Sequence, residues 1–488
     1  MVNVATKLNP ILPGFHPDPS LCRVGDDYFL ATSTFTWLPG VPIFRSADLV
    51  HWTQIGNALD RHSQIDLEDT DLWASFGVFA PTLRHHRGRF WMITTCVSIH
   101  GGKNFLVTTD DPTGPWSDPV SMAVQGIDPD LAWDDEGNCW VHYSAAGSGI
   151  MRCRIDDATG DLLDEPVATW SGTGLQNPEA PHLYRIGEWW YLMIAEGGTG
   201  AGHAVSIARG PSPTGPWEAC PANPILSHRS TNQPIQNTGH ADLVEDPSGR
   251  WWMALLGVRA KGMPASFHVL GRETFLTGVE WEDGWPVVET PTLGVDDGRE
   301  EFVDDFEGPE LDAGWISRRQ FPADIADLAT RPGALTLRDA GTTLRSARPA
   351  FVGRRQRHHF CQVDTTVDVA SGEAGLAVVY DEHSHYRVGV DADSVYAAAR
   401  IGPFEHELAR EPRPDGAVTL QLQTVADPAG PDRVELSYEN GDGHFVRVAS
   451  VNGRYLSTEV VGGFLGRVIG VYASGGEASF DHFRYVGE

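Results

Sequence analysis

Basic residues are scarce in this 488-residue chain: 36 Lys and Arg stand against 66 Asp and Glu, a formal net charge of −30. A surface so acidic repels phosphate backbones and anionic lipid, which excludes nucleic acid and membrane surfaces as expected partners and favours a neutral ligand. Cysteine is sparse too. The six (Cys22, Cys96, Cys139, Cys153, Cys220 and Cys361) include no CxxC pair, which argues against a zinc site or a disulfide framework and for reduced, structural thiols. No apolar run is long enough to span a bilayer, and "MVNVATKLNPILPGF" lacks the basic start and apolar stretch of a signal peptide, so the expected location is the cytoplasm. Long segments of helical period are missing as well. What is left, short apolar runs bounded by Gly and Pro, predicts mostly β structure.

Within the first three hundred residues one phrase recurs: a glycine-led turn, an aromatic, then an alternating apolar strand. It reads "GDDYFLATS" from Gly25, "GRFWMITT" from Gly88, "GNCWVHYS" from Gly137, "GEWWYLMIA" from Gly187 and "GRWWMALLG" from Gly249. Ahead of each turn lies a second phrase ending in leucine: "PDPSL", "FAPTL", "IDPDL", "EAPHL" and "GHADL", closing at Leu21, Leu83, Leu131, Leu183 and Leu243. Each pair of phrases makes a hairpin, and five such units predict a five-bladed β-propeller, whose radial repetition protects its strand edges. Trp91, Trp140, Trp190 and Trp252 at these turns are expected to pack blade against blade, since buried aromatics mostly supply core area.

In a propeller the first strand of every blade lines the central channel, so corresponding positions converge near the axis. Aligned on the leucine, those positions are Asp18, Ala80, Asp128, Ala180 and His240, with Phe79 and Glu179 one step earlier. Three carboxyls, a histidine and an aromatic are therefore expected at one mouth of the channel. Glu179 is out of step with the two aspartates by one residue and needs a local bulge to point inward. Clustered carboxylates shift each other's pKa, which costs stability unless the site binds a metal or performs acid/base chemistry. The aromatic favours a sugar pocket over an oxygen cage. No cofactor is required by this pattern, and it includes no assigned metal ligand; a calcium ion near His240 is left open, because hard cations take several oxygens.

"GFHPDPS", "GIDPDLAWDDEG", "NPEAPHLY", "STFTWLPGVPIFRSADLVHW", "GHADLVEDPSGRWWMALLG" and "LGRETFLTGVEWEDGWP" together resemble glycoside hydrolase family 43, over essentially the whole chain. The resemblance implies a five-bladed propeller that inverts anomeric configuration, with Asp18 as general base, Asp128 as an orienting and pKa-tuning residue, and Glu179 as general acid. It also implies sugar-binding roles for Phe35 in "STFTW", Phe79, His240 and Arg272. At Phe79 this chain departs from the Trp that many members have, reading "GVFAP" for "GIWAP". The implied partner is a small oligosaccharide, trimmed of terminal β-D-xylosyl or α-L-arabinofuranosyl residues. Burial and the charge of Asp128 are expected to keep Glu179 protonated.

After residue 298 the repeated phrase stops. "YRVGVDADSVYAAARIG", "VTLQLQTVAD" and "RVELSYENGDGHFVRVASV" alternate with period two between turns, as in an antiparallel β-sandwich. The expected division is a propeller catalytic domain at 1–298 and a sandwich at 299–488, which by the same resemblance often closes one side of the pocket. His383 and His385 in "YDEHSHYRV" are read as a solvated strand face, no third ligand being identifiable. Two rival readings fit the motifs less well. A retaining fructosidase on the same architecture would show "NDPNG", "RDP" and "EC" where this chain has "HPDPS", "IDP" and "PEAP"; a non-catalytic sugar-binding propeller would lack one of the three acids. Homo-oligomerisation is left open.

Overall fold

The five glycines that lead the repeated phrase all have left-handed backbone, Gly25 at φ 63°, Gly88 at 78°, Gly137 at 84°, Gly187 at 60° and Gly249 at 84°, a region where a β-carbon is strained. The tight turns they permit join the first two strands of five successive antiparallel sheets. The computed structural model describes residues 9–67, 73–98, 100–262, 266–294 and 299–488. Among these the fold is all-β, with a single four-residue α-helix, Thr458–Val461.

The five sheets follow one another along the chain, their first strands being Ser20–Val24, Thr82–His86, Ile127–Trp133, Glu179–Ile186 and Gln236–Glu245. Four of them are four-stranded with strands in sequence order, and the second adds the short strand Gly77–Val78. Apolar side chains alternate between the two faces of each sheet, and each face meets a neighbour. Phe29 and Ile43 of the first sheet pack with Met92 and Phe105 of the second, Ile93 of the second with Val141 of the third, and Ile150 of the third with Leu192 of the fourth. Met193 of the fourth packs with Phe275 of the fifth, and Leu276 of the fifth with Leu30 and Phe44 of the first. The succession of clusters thus returns to its start. Each fully buried side chain of this kind contributes about 1.5 to 3 kcal/mol. Trp91, Trp140, Trp190 and Trp252 are buried, as expected of scaffold.

The remainder forms a nine-stranded and a six-stranded antiparallel sheet. Val363, Leu420 and Leu436 of the first pack with Leu376, Tyr386 and Val471 of the second, in a core that also takes in Phe15, Phe35 and Trp37 from the first part of the chain. A two-residue ladder, Trp37–Leu38 against Ser317–Arg318, ties the two parts together. The expected boundary between residues 298 and 299 abuts residues 295–298, which lie outside the described residues.

The solvated-face reading of "YDEHSHYRV" needs correction. His383 is exposed, but His385 is fully buried in the strand Ser384–Val390. Burial, with Arg387 and Arg318 nearby, drives its pKa well below that of an ordinary imidazole. His383 lies in the turn before that strand, and Ser384, His385 and Tyr386 are all buried, so the strand has no solvated face there. All six cysteines are free thiols.

Candidate active site

Four of the five positions aligned on the repeat leucine have left-handed backbone: Asp18 at φ 56°, Asp128 at 53°, Ala180 at 50° and His240 at 45°. The strand register slips there, between Ile127 and Asp130, between Glu179 and His182, and between Gly239 and Asp242. The bulge expected at Glu179 alone is therefore a shared feature. Its apex in the fourth sheet is Ala180, and Glu179 precedes it. The "G" of "GHADL" has a separate reason: a β-carbon on Gly239 would lie 2.4 Å from the His203 ring. Left-handed non-glycine residues cost about 1 to 3 kcal/mol each, and sites that hold several of them are candidates for function.

Asp18, Phe35, Phe79, Asp128, Glu179, His240 and Arg272 all line one pocket of about 190 Å³. All seven residues singled out in the sequence are brought together. The volume is below the roughly 300 Å³ at which sites for drug-sized ligands begin, and suits a single small polar ring. Glu179 sits at its edge, where a second cavity of about 560 Å³ begins, lined by Gly126, Ser144–Gly149, Ser171 and Pro178 and sharing Ile127, Asn177 and Glu179 with the first.

The three carboxyls are in opposite electrostatic states. Burial alone would push Asp18 up, but Arg272, His240 and the Ser33 hydroxyl together outweigh it and hold the group below the ordinary carboxylate range. Arg272 Nη1 donates to its Oδ1 at 2.9 Å and Nη2 to its Oδ2 at 3.3 Å, Ser33 Oγ donates to Oδ2 at 2.6 Å, and His240 Nδ1 lies 3.5 Å from Oδ1. Glu179 is pushed the other way, to about 7, by burial and then by the negative charge of Asp18. Asp128 lies well above the ordinary range because of burial and the charges of Glu179 and Asp18, against which Arg272 and the Ala180 N–H act only in part. The charge that acts on Glu179 is that of Asp18, where the sequence pointed to Asp128; Asp128 and Glu179 are both pushed up in the same desolvated, acidic site. One buried carboxylate held low beside two that are raised is the division of labour that general acid/base chemistry needs.

Three comparisons with known proteins bear on this arrangement. The model of Glycosyl hydrolases family 43 matches residues 7–286, more than half of the chain. The chain belongs to glycosyl hydrolases family 43. It is a glycoside hydrolase, and residues 303–486 match the Beta xylosidase C-terminal Concanavalin A-like domain. The chain is 37% identical to a non-reducing end alpha-L-arabinofuranosidase of Bacteroides ovatus, covering 99% of this chain and 96% of that one. It is 36% identical to a xylosidase/arabinosidase of Butyrivibrio fibrisolvens, over 97% of both. A crystal structure of xylan beta-1,4-xylosidase from Bacillus halodurans superposes with a TM-score of 0.89 at 33% identity, covering 98% of this chain and 99% of that one.

Several pocket residues of this family 43 chain were not singled out in its sequence. Phe464 lines the pocket from the second part of the chain. It follows Gly462 and Gly463, both left-handed at φ 84° and 77°, and its N–H donates to Ser75 Oγ at 2.9 Å. Its ring lies 5.5 Å from that of Phe35 and 6.2 Å from that of Phe79, and the Arg272 guanidinium sits 5.3 Å from Phe464 and 5.5 Å from Phe35. "GGF" in a strand-rich segment was the available signal; contacts with Arg272, Phe79 and Phe35, nearly two hundred to more than four hundred residues away, were not readable. Thr199 accepts from Arg272 Nη1 at 3.0 Å, and Asn177 lines the rim shared by both cavities. His203, buried beneath His240, is driven to about 4 by burial.

Among the described residues no group of three or more His, Cys, Asp or Glu is disposed to hold a metal ion. The carboxylate nearest His240 is Asp18, already occupied by the Arg272 guanidinium. Burial lowers His240 to about 3, against the opposing charge of Asp18. Among the described residues no helix is long and apolar enough to cross a membrane.

Proposed function

We propose that the chain is an exo-acting, inverting hydrolase that releases terminal β-D-xylosyl or α-L-arabinofuranosyl residues from xylan-derived oligosaccharides, with Asp18 as general base and Glu179 as general acid. The observation that carries this reading is a pocket sized for one sugar in which an ionised Asp18 and a protonated Glu179 coexist. Water attacks the anomeric carbon as the glycosidic bond breaks. Asp18 takes the water's proton, and Glu179 gives its proton to the departing oxygen. The larger cavity beyond Glu179 accommodates the rest of the oligosaccharide, so that only a terminal unit enters.

Asp128, raised by the same burial and by the charges of Glu179 and Asp18, tunes Glu179 as its close acidic neighbour. Phe35 and Phe79, with ring centroids 5.1 Å apart, offer an apolar wall to the sugar face, while His240 and Arg272 donate to its hydroxyls. The five sheets with recurring inter-sheet clusters are read as the blades of a propeller, and the two large sheets with a core between them as a β-sandwich, the domains dividing at 298/299. The names of the relatives support both sugars, whose hydroxyls are similarly placed. The test is hydrolysis of nitrophenyl β-D-xyloside and nitrophenyl α-L-arabinofuranoside by the purified chain, with release of single sugars from oligosaccharide ends. Turnover of neither, or internal cleavage of long chains, would sink the proposal.

A further inference from the structure

Beneath the pocket, two to four residues further along the five first strands, lies a closed ring of side-chain hydrogen bonds. Ser20 Oγ donates to Asp242 Oδ2 at 2.7 Å and the Leu21 N–H to the same oxygen at 3.0 Å, joining the first strand to the fifth. Ser20 Oγ also accepts from the Leu83 N–H at 3.0 Å, joining first to second. Arg84 Nη2 donates to Asp130 Oδ1 at 2.7 Å, joining second to third, and Asp130 Oδ2 accepts from the Leu183 N–H at 2.8 Å, joining third to fourth. Tyr184 donates to Asp242 Oδ1 at 2.5 Å, closing fourth to fifth. Arg84 also spans the ring: its Nη1 donates to Asp242 Oδ2 at 2.9 Å, so one guanidinium bonds both buried aspartates, and its Nη2 donates to His182 Nδ1 at 2.9 Å.

The place of this ring matters. Asp18 and Ser20, Asp128 and Asp130, and His240 and Asp242 are each two residues apart, and Glu179 precedes Leu183 by four. Ser20, Asp130, Tyr184 and Asp242 each follow a left-handed residue that aims a pocket side chain, Asp18, Asp128, Ala180 and His240, while Arg84 lies on the second strand, which has none, and reaches across to the others. Bulged, left-handed residues relax unless the surrounding chain over-determines them, and the strand just past each bulge is what the ring fixes. Asp130 and Asp242 are fully buried, so without a cation between them they would repel each other and let the strands part.

We infer that Arg84 is the positioning residue of the active site, the internal cation that holds the first strands in the register at which Asp18, Asp128 and Glu179 face one sugar. It touches no substrate. The inference rests on the catalytic reading of those three carboxyls. Misplacement of reacting groups by about 1 Å costs on the order of 100-fold. Arg84→Met is therefore expected to lower kcat on nitrophenyl β-D-xyloside by about that factor while KM changes by less than about threefold. Arg84→Lys, which retains the charge without the fork, should fall between. The Arg84 side chain keeps 15% exposure, so its place is reachable, and guanidinium chloride well below denaturing concentration should restore part of the kcat of Arg84→Met and none of that of Asp18→Asn.

Arg84→Met leaves two buried carboxylates without their partner, so the triple variant Arg84→Met, Asp130→Asn, Asp242→Asn is measured beside it, with folding followed by near-ultraviolet circular dichroism. A folded triple variant that is still slow supports positioning. Wild-type kcat in either folded variant overturns it, as does a loss that merely tracks the unfolded fraction and is not rescued by guanidinium. Full activity in Asp18→Asn or Glu179→Gln would instead remove the catalytic reading, and with it the site that Arg84 is inferred to hold.

Discussion

Two layers of buried carboxyls occupy the same five strands, and their chemistry differs completely. Asp130 and Asp242, in the lower layer, are fully buried, yet Arg84, Ser20, Tyr184 and backbone N–H groups surround them; burial would raise Asp242, but Arg84 foremost holds it far below the ordinary range. Asp128 and Glu179, in the upper layer, face Arg272 only after Asp18 has taken both of its Nη groups, and both are raised. Desolvation acts on both layers alike. What separates them is the supply of donors, and the layer left short of donors is the one that can move a proton.

The largest effects should come from breaking the upper layer. Asp18→Asn and Glu179→Gln should each lower turnover roughly 10² to 10⁴-fold with the fold intact, the usual worth of a general acid or base; steady-state kinetics on folded protein decides it. Next comes the pH profile. Protonation of Asp18 below the ordinary carboxylate range should set the acid limb of kcat/KM, and loss of the Glu179 proton near 7 the alkaline limb. Arg272→Met should move the acid limb to higher pH, since Asp18 loses its main counter-charge; an unmoved limb would separate Asp18 from that limb.

A smaller effect appears in stability. The folded-state pKa of Glu179, about 7, lies above its ordinary 4.5, so its contribution is fully present below 4.5 and lost as pH rises through 7. Glu179→Gln removes that loss. Its Tm should exceed that of the wild type above pH 7 and converge with it near pH 4.5, whereas parallel melting curves would contradict the raised pKa. The smallest effect concerns the wall from the second part of the chain: Phe464→Ala should raise KM about twofold to tenfold, the worth of one aromatic contact, with kcat little changed.

How much of this was legible in the sequence follows from what repeats and what does not. Gly25, Gly88, Gly137, Gly187 and Gly249 mark five turns because a left-handed turn selects glycine, and a periodic steric demand leaves a periodic mark. Asp18, Asp128, Glu179 and His240 could be brought together because the repeat supplies a common register. Phe464 and Thr199 were missed because neither belongs to the repeat. Asp18, rather than the Asp128 expected from the sequence, supplies the charge that raises Glu179, because a residue list carries no distances and no donors: Arg272 binds Asp18 and holds it low while Asp128 stays raised, which only the arrangement reveals. Arg84 was invisible for the same reason, being one arginine in a strand whose partners lie on four others.

The central claim, direct displacement by a water that Asp18 activates, is tested most directly by following hydrolysis of nitrophenyl β-D-xyloside by proton NMR from the first turnovers. The account predicts that α-xylose forms first and then mutarotates toward equilibrium; β-xylose as the first product would contradict it.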